Sequence, residues 1–251
     1  MKRYKIISIA LIFIFSSCAE LSQIANQSIG GSLPLSQNEI INGLKESLVV
    51  GASKSVNILA VTDGYYKDEL VKILLPPEAE IIVKNINKIP GGAQLLDDVL
   101  LKINRAAEDA AKEAKPIFVN SISAMSFTDA LGILKGGDYA ATNYLRNSTY
   151  GQLVELYKPK INSSLDKKLV GTISTNQSWD LLTGQWNEMA KTLIGQIAGF
   201  KPIEVKLDEY LTQKALDGLF LKIGDEEKRI RKDPLARGSE LLKRVFAKQD
   251  S

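Results

Sequence analysis

The sequence predicts a mostly α protein, a multi-helix, bundle-like globular domain behind an N-terminal leader and a short tether. Three observations lead there. Apolar residues recur at steps of three and four over most of the chain, no stretch sustains the alternation of a half-buried strand, and Gly-Gly, Pro and Ser/Thr punctuation cuts the chain into helix-length pieces. With 251 residues, 45% of them hydrophobic, the chain is long enough to bury a real core.

The elements follow in order. Lys2, Arg3 and Lys5 precede the apolar run IISIALIFIF at residues 6–15, a leader too short to span a bilayer as a helix. Behind it stands Cys18, the only cysteine. A cut after Ser17 by the ordinary secretory peptidase would put bulky Phe15 in the third-last place. Ser16, Ser17 and Cys18 instead resemble the lipobox of bacterial lipoproteins, although Phe15 replaces the usual leucine. The resemblance implies that residues 1–17 are removed and that Cys18 is acylated and becomes the first mature residue. A single acyl chain holds a protein only marginally, and the several chains of a lipoprotein hold it stably. Ala19 follows the cysteine where aspartate commonly marks inner-membrane retention, so the expected address is the outer membrane, facing the periplasm. Residues 18–35 form the lipidated tether, and 36–251 a single all-α domain.

Within that domain, residues 39–61 place Ile41, Leu44, Leu48, Ala52, Ser55 or Val56, and Leu59 on one helical face. A turn is expected at Asp63-Gly64, a short strand is conceivable at 70–75, and Pro77 suits a helix start with Glu80 four before Lys84. Residues 93–114 give the clearest helix, burying Leu96, Val99, Ile103, Ala106 or Ala107, and Ala110. Ser126 or Thr128 opens the next, and Asp138 is expected to cap another beginning YAATNYLRNS after Gly136-Gly137. Further helices fit residues 150–169, 176–195 and 205–222. The final charged stretch pairs Asp225 with Arg229, Glu227 with Arg231 and Glu240 with Arg244, and reads as a solvated helix pair broken at Pro234. A phosphate-facing patch is the alternative, since residues 222–251 carry nine basic and six acidic side chains.

Charge and composition exclude several function classes. The formal +3 comes from 32 basic and 29 acidic side chains, and removal of the leader with its three basic residues leaves a neutral chain, so overall charge gives no nucleic-acid partner. The chain contains no histidine, which excludes every His-based triad, dyad and metal site. Ser164-Leu165-Asp166-Lys167 has the S-x-x-K spacing of serine acyl-enzymes but lacks their S-D-N and K-T-G companions. Asp97-Asp98 reads as surface charge, and Gly51 to Ser55 lacks the glycine before lysine that a phosphate loop needs. No motif calls for a cofactor.

Several stretches together resemble the bacterial proteins grouped as domain of unknown function 4197: GYYKDELVKILLPPE at 64–78, INRAAEDA at 103–110, MSFTDALGILKGGDYAATNYLR at 125–146, ALDGLF at 215–220 and EEKRIRKDPLARGSELLKRVF at 226–246. The resemblance implies an exported helical protein and supplies no reaction or catalytic residue.

The candidate site is the polar set that interrupts the helical pattern: Asn104 and Arg105 beside Glu108, Asp129, Tyr144 and Arg146, and Arg231 with Arg237. These side chains either form a binding surface or satisfy one another inside the fold, because a buried guanidinium needs a partner. Three functions are open: a membrane-held binding or scaffolding module with an envelope protein partner, a carrier of a lipid or other apolar ligand in a helical cavity, and an enzyme acting through carboxylates or serine. Tyr65, Tyr66, Trp179 and Trp186 are open to a contact role, but aromatics at such spacing are more often core, and the sequence does not decide between the two.

Overall fold

The structure is a computed structural model that describes residues 36–247. The leader, Cys18 and the tether lie outside the described residues. Ten α-helices and no strand are found among the described residues: α1 (Gln37–Leu59), α2 (Glu80–Lys84), α3 (Gly92–Ala111), α4 (Ala114–Ala124), α5 (Phe127–Lys135), α6 (Ala140–Asp166), α7 (Thr175–Lys191), α8 (Leu193–Ile197), α9 (Leu207–Lys232) and α10 (Glu240–Phe246). No single helix among these residues is long and apolar enough to cross a membrane.

The longest helices, α6 and α9, pack against each other at the centre. Around them α1 lies on α9, α3 touches both, α4 packs between α1 and α6, and α7 covers the far side of α3. α1 buries Leu44, Leu48, Ala52, Ser55, Val56 and Leu59, the face its spacing predicts. α6 carries an unbroken stripe through Leu145, Thr149, Leu153, Tyr157 and Ile161, one residue every four.

That stripe corrects the sequence reading, which placed separate helices at 139–148 and 150–169. Nothing between Thr149 and Gly151 stops a helix, and Pro159 is carried inside it. α9 likewise runs ten residues past the expected end at 222, because the charged segment DEEKRIRK continues its pattern. Residues 70–75 form no strand. Asp138 does not cap α6 either; it pairs with Lys232 of α9 at 2.8 Å. By contrast, Ser126 opens α5 as expected, in a full capping box with Asp129. Tyr65 and Trp186 are fully buried and Trp179 nearly so, as expected of core aromatics, whereas Tyr66 is only partly buried.

α3 is more enclosed than its amphipathic pattern predicts. Beyond Val99, Ile103 and the alanines, it also buries Lys102, Asn104 and Glu108, because neighbours cover it on several sides. These polar groups and their counterparts on α9 position the candidate site.

Candidate functional site

The candidate residues fall into four separate places. The first joins α3 to the loop after α1. Glu108 accepts the backbone N–H groups of Tyr65 and Tyr66, both at 3.1 Å, through one carboxylate oxygen. Its other oxygen takes Arg105 at 2.7 Å, and Arg105 reaches on to Asp63 at 2.5 Å. Asp63 holds a left-handed backbone (φ 71°) at the turn, next to Gly64, where a Cβ would lie 2.5 Å from the Ile58 carbonyl. Hydrogen bonds from Lys67 and then Arg105 hold the Asp63 carboxyl below its usual range. One turn earlier on α3, Asn104 accepts the N–H of Ile73 at 2.8 Å and donates to its carbonyl at 2.9 Å. The side-chain amide thus replaces the neighbouring strand that segment 70–75 lacks. Tyr65, fixed by this junction, donates its hydroxyl to the carbonyl of Ala215 in α9 at 2.7 Å, and burial pushes its ionisation well above the usual range.

The second place lies on α9, where the sequence suggests a solvated face. Glu227, Arg231 and Arg237 are buried there instead. Glu227 accepts the N–H groups of Ala141 and Thr142 at 2.9 and 2.8 Å and the Thr142 hydroxyl at 2.7 Å, capping α6 from another helix where Asp138 was expected. Arg231 pairs with Glu227 at 2.8 Å and donates to the carbonyls of Ile133 and Gly136, which closes the C-terminal end of α5. Arg237 donates to the carbonyls of Ile230 and Arg231 at the end of α9. The Phe246 ring of α10 lies under both guanidiniums. Of the three expected ion pairs, only Glu227 with Arg231 forms as spaced; Glu226 takes Arg229 and Lys54, Glu240 takes Lys243, and Arg244 reaches Glu39 in α1.

The third and fourth places are nearer the surface. The Tyr144 hydroxyl hydrogen-bonds Asp129, which holds the α5 capping box. Arg146 pairs with Asp217 at 3.3 Å and lies 4.7 Å from the Phe220 ring centroid. Beside Asp217 an open groove of about 380 Å³ runs between segment 70–74 and α9, with Leu70, Leu74 and Leu221 exposed along it.

Other clusters escaped sequence reasoning. Lys102, almost wholly buried, donates to the Ile173 carbonyl and Ser178 and pairs with Asp98 at 3.0 Å. Asp98 is therefore a structural partner, not free surface charge. Ser164 of the S-x-x-K spacing is buried and donates to Asp109 at 2.8 Å, and Lys167 binds the same carboxylate. Burial raises the Asp109 carboxyl, but the hydrogen bonds from Lys167, Ser164 and Lys112 outweigh it and hold it at about 2. Ser164 and Lys167 both donate to Asp109, so the lysine engages the carboxylate and not the serine it would have to activate. The Tyr157 hydroxyl is buried without a hydrogen-bond partner among the described residues, and burial pushes its ionisation up. No group of three or more metal-ligating acids or cysteines is found among the described residues. The hollow lined by Ser47, Glu227, Arg231 and Phe246 has room of about 20 Å³, one water molecule.

In comparisons with known proteins, a family model described as "Protein of unknown function (DUF4197)" matches residues 34–247. No curated protein and no solved structure shows a significant match to the chain.

Two outcomes follow from these contacts. Replacing Arg105 with Ala strands the buried Glu108 charge and costs on the order of 2 kcal/mol, so the Tm should fall by about 5 °C. Unchanged melting together with a lost cellular phenotype would instead make Arg105 a binding residue. The pH dependence is set by carboxylates whose folded pKa is lowered, Asp109 most clearly, with Asp63, Asp68 and Glu226 in the same direction. Their stabilisation is present above the unfolded carboxylate range and is lost as pH falls through the folded values. Thermal melting should therefore be flat from about pH 5 to 8, where the chain has no histidine side chain to titrate, and should fall between about pH 4 and 2. A titration step near pH 6 would contradict this.

Proposed function

The chain belongs to the DUF4197 family of proteins of unknown function, and on that premise we propose that it is a lipid-anchored envelope protein whose helical domain binds or scaffolds a protein partner. The observation that carries the reading is how the interior polar groups are used. Asn104, Glu108, Lys102, Glu227, Arg231 and Arg237 each hold backbone groups of another segment or the end of their own helix, so their bonding capacity is spent on the fold. What the domain offers outward is surface: the groove between residues 70–74 and α9, with the Arg146–Asp217 pair at its side. Its exposed Leu70, Leu74 and Leu221 give a partner apolar area to bury, and Lys72, Lys214 and Asp217 give it charges to match.

Anchoring rests on the lipobox-like Ser16-Ser17-Cys18 behind a short apolar leader. Acylation there would confine partner search to a layer at the membrane, which makes a modest groove sufficient by raising effective concentration. The carrier alternative requires a cavity for a lipid tail, and the hollow beside Glu227 admits about one water.

Cell fractionation tests the anchor. The wild-type chain is expected in the membrane fraction with an acylated N-terminal peptide by mass spectrometry, and Cys18→Ser in the soluble fraction; unchanged partition would end the anchor reading. A photo-reactive residue at position 74 of the anchored chain should capture a discrete protein that the same residue at position 235 does not. Capture at neither position would remove the groove from the account.

A further inference from the structure

Helix α8, at the end of α7, presents its apolar side chains outward. Leu193, Ile194 and Ile197 are 73%, 80% and 79% exposed, the largest such group on one turn among the described residues. Three neighbouring aliphatic side chains in water are costly, and a fold that keeps them there has a use for them or a partner to cover them.

The exposure is built into the fold. The Thr192 hydroxyl accepts the Gly195 N–H at 3.0 Å and donates to the Met189 carbonyl at 2.8 Å, so α8 is capped where it leaves α7. The Gln196 amide donates back to the Lys191 carbonyl, and the Phe200 N–H to the Gly195 carbonyl. Gly195 permits the tight return, since a Cβ would lie 2.2 Å from the Met189 carbonyl, and Gly199 turns the chain with φ 74°. Behind the turn, the Phe200 ring stacks 4.7 Å from Trp186, whose indole N–H binds the Lys201 carbonyl. Asn187 pairs with both backbone groups of Ile203. α8 is thus a fixed knob with its apolar side chains held outward.

Charge and shape say what covers it. Residues 189–203 contain no acidic side chain and carry Lys191 and Lys201 on either side of the aliphatic group, with Lys191 paired to Glu188 at 2.9 Å and Glu204 following beyond Ile203. Lys88, over the Phe200 ring, adds a third ammonium nearby. The three aliphatic residues project from the knob, whereas the adjacent groove of about 800 Å³ is walled by other residues of α7 and the 88–90 loop. A projecting apolar knob with the ammonium groups of Lys201 and Lys88 beside it complements a bilayer surface, where aliphatic side chains reach the acyl boundary and ammonium groups stay among anionic headgroups.

We propose that α8 is a membrane-inserting wedge that enters the interface of an anionic phospholipid bilayer through Leu193, Ile194 and Ile197. The wedge acts without the acyl chain and orients the domain on the membrane, so it stands or falls apart from the chemistry of Cys18.

The test uses the chain from residue 19 onward, which retains the whole compact unit Gln37–Ser251 and has no cysteine of its own. It is added to vesicles of phosphatidylethanolamine with about one third phosphatidylglycerol. An environment-sensitive fluorophore at Ile194→Cys should shift to the blue on vesicle addition, while the same probe at Lys228→Cys on α9 should not. The double variant Leu193→Glu, Ile194→Glu should bind vesicles at least about tenfold more weakly, with unchanged melting, since two large apolar side chains are lost from the interface. Leu235→Glu, at an exposed apolar position elsewhere, should bind as wild type. Absence of vesicle binding, or equal binding by the double variant, overturns the proposal. So does a concentration-dependent dimer that the double variant breaks, which would assign the knob to a second copy of the chain.

Discussion

A bundle cut into ten helices has many breaks, and peptide groups left at a break inside a packed interior need partners as surely as those within a helix. Here that constraint is met by side chains reaching from one helix to the break of another. Glu108 takes the N–H groups after the α1 turn, Asn104 both groups of Ile73, Glu227 the start of α6 and Arg231 the end of α5. The helices that send them, α3 and α9, are each covered by several neighbours, so these bonds form away from water and are strong for that reason. Charge is balanced in the same places: Glu108 with Arg105, Glu227 with Arg231. Removing one partner from such a pair costs more than the pair contributes, because the other charge stays buried.

Much of the helical outline could be read from the chain. The faces of α1 and α3 follow from apolar spacing, and Ser126 marks the start of α5 because its capping box is local, complete within four residues. The errors have a common physical origin. Asp138 is a good local cap candidate, but Glu227, eighty-six residues from Ala141, supplies the bond instead. Residues 70–75 have strand-like composition, yet a single asparagine side chain meets the need for a ladder there. In the segment 225–237, favourable four-residue spacing suggests a solvated face, and nothing in the spacing reveals that α1, α5 and α10 close over it. The polar set singled out from sequence is real as a set of unusual residues, but the structure distributes it over four places and does not converge it into one pocket.

That distribution shapes the functional reading. Side chains that hold breaks together are poor candidates for chemistry, since their hydrogen-bonding groups are already taken up by the backbone. The surface carries the remaining information: a groove beside Arg146 and Asp217, and a rigid apolar knob at α8. The two features have different characters, one recessed with mixed charge, the other projecting and apolar with Lys88 and Lys201 beside it. A protein partner and a membrane surface fit them respectively.

Native-state hydrogen exchange, read residue by residue, tests the central claim that buried side chains from α3 and α9 hold the chain breaks. The amides of Tyr65, Tyr66, Ile73, Ala141 and Thr142 belong to a turn, an extended segment and a helix start, places that ordinarily exchange quickly. The account predicts that all five exchange only with global unfolding, at the rate of core amides such as those of α6. Fast exchange of these amides, while the core of α6 stays protected, would contradict it.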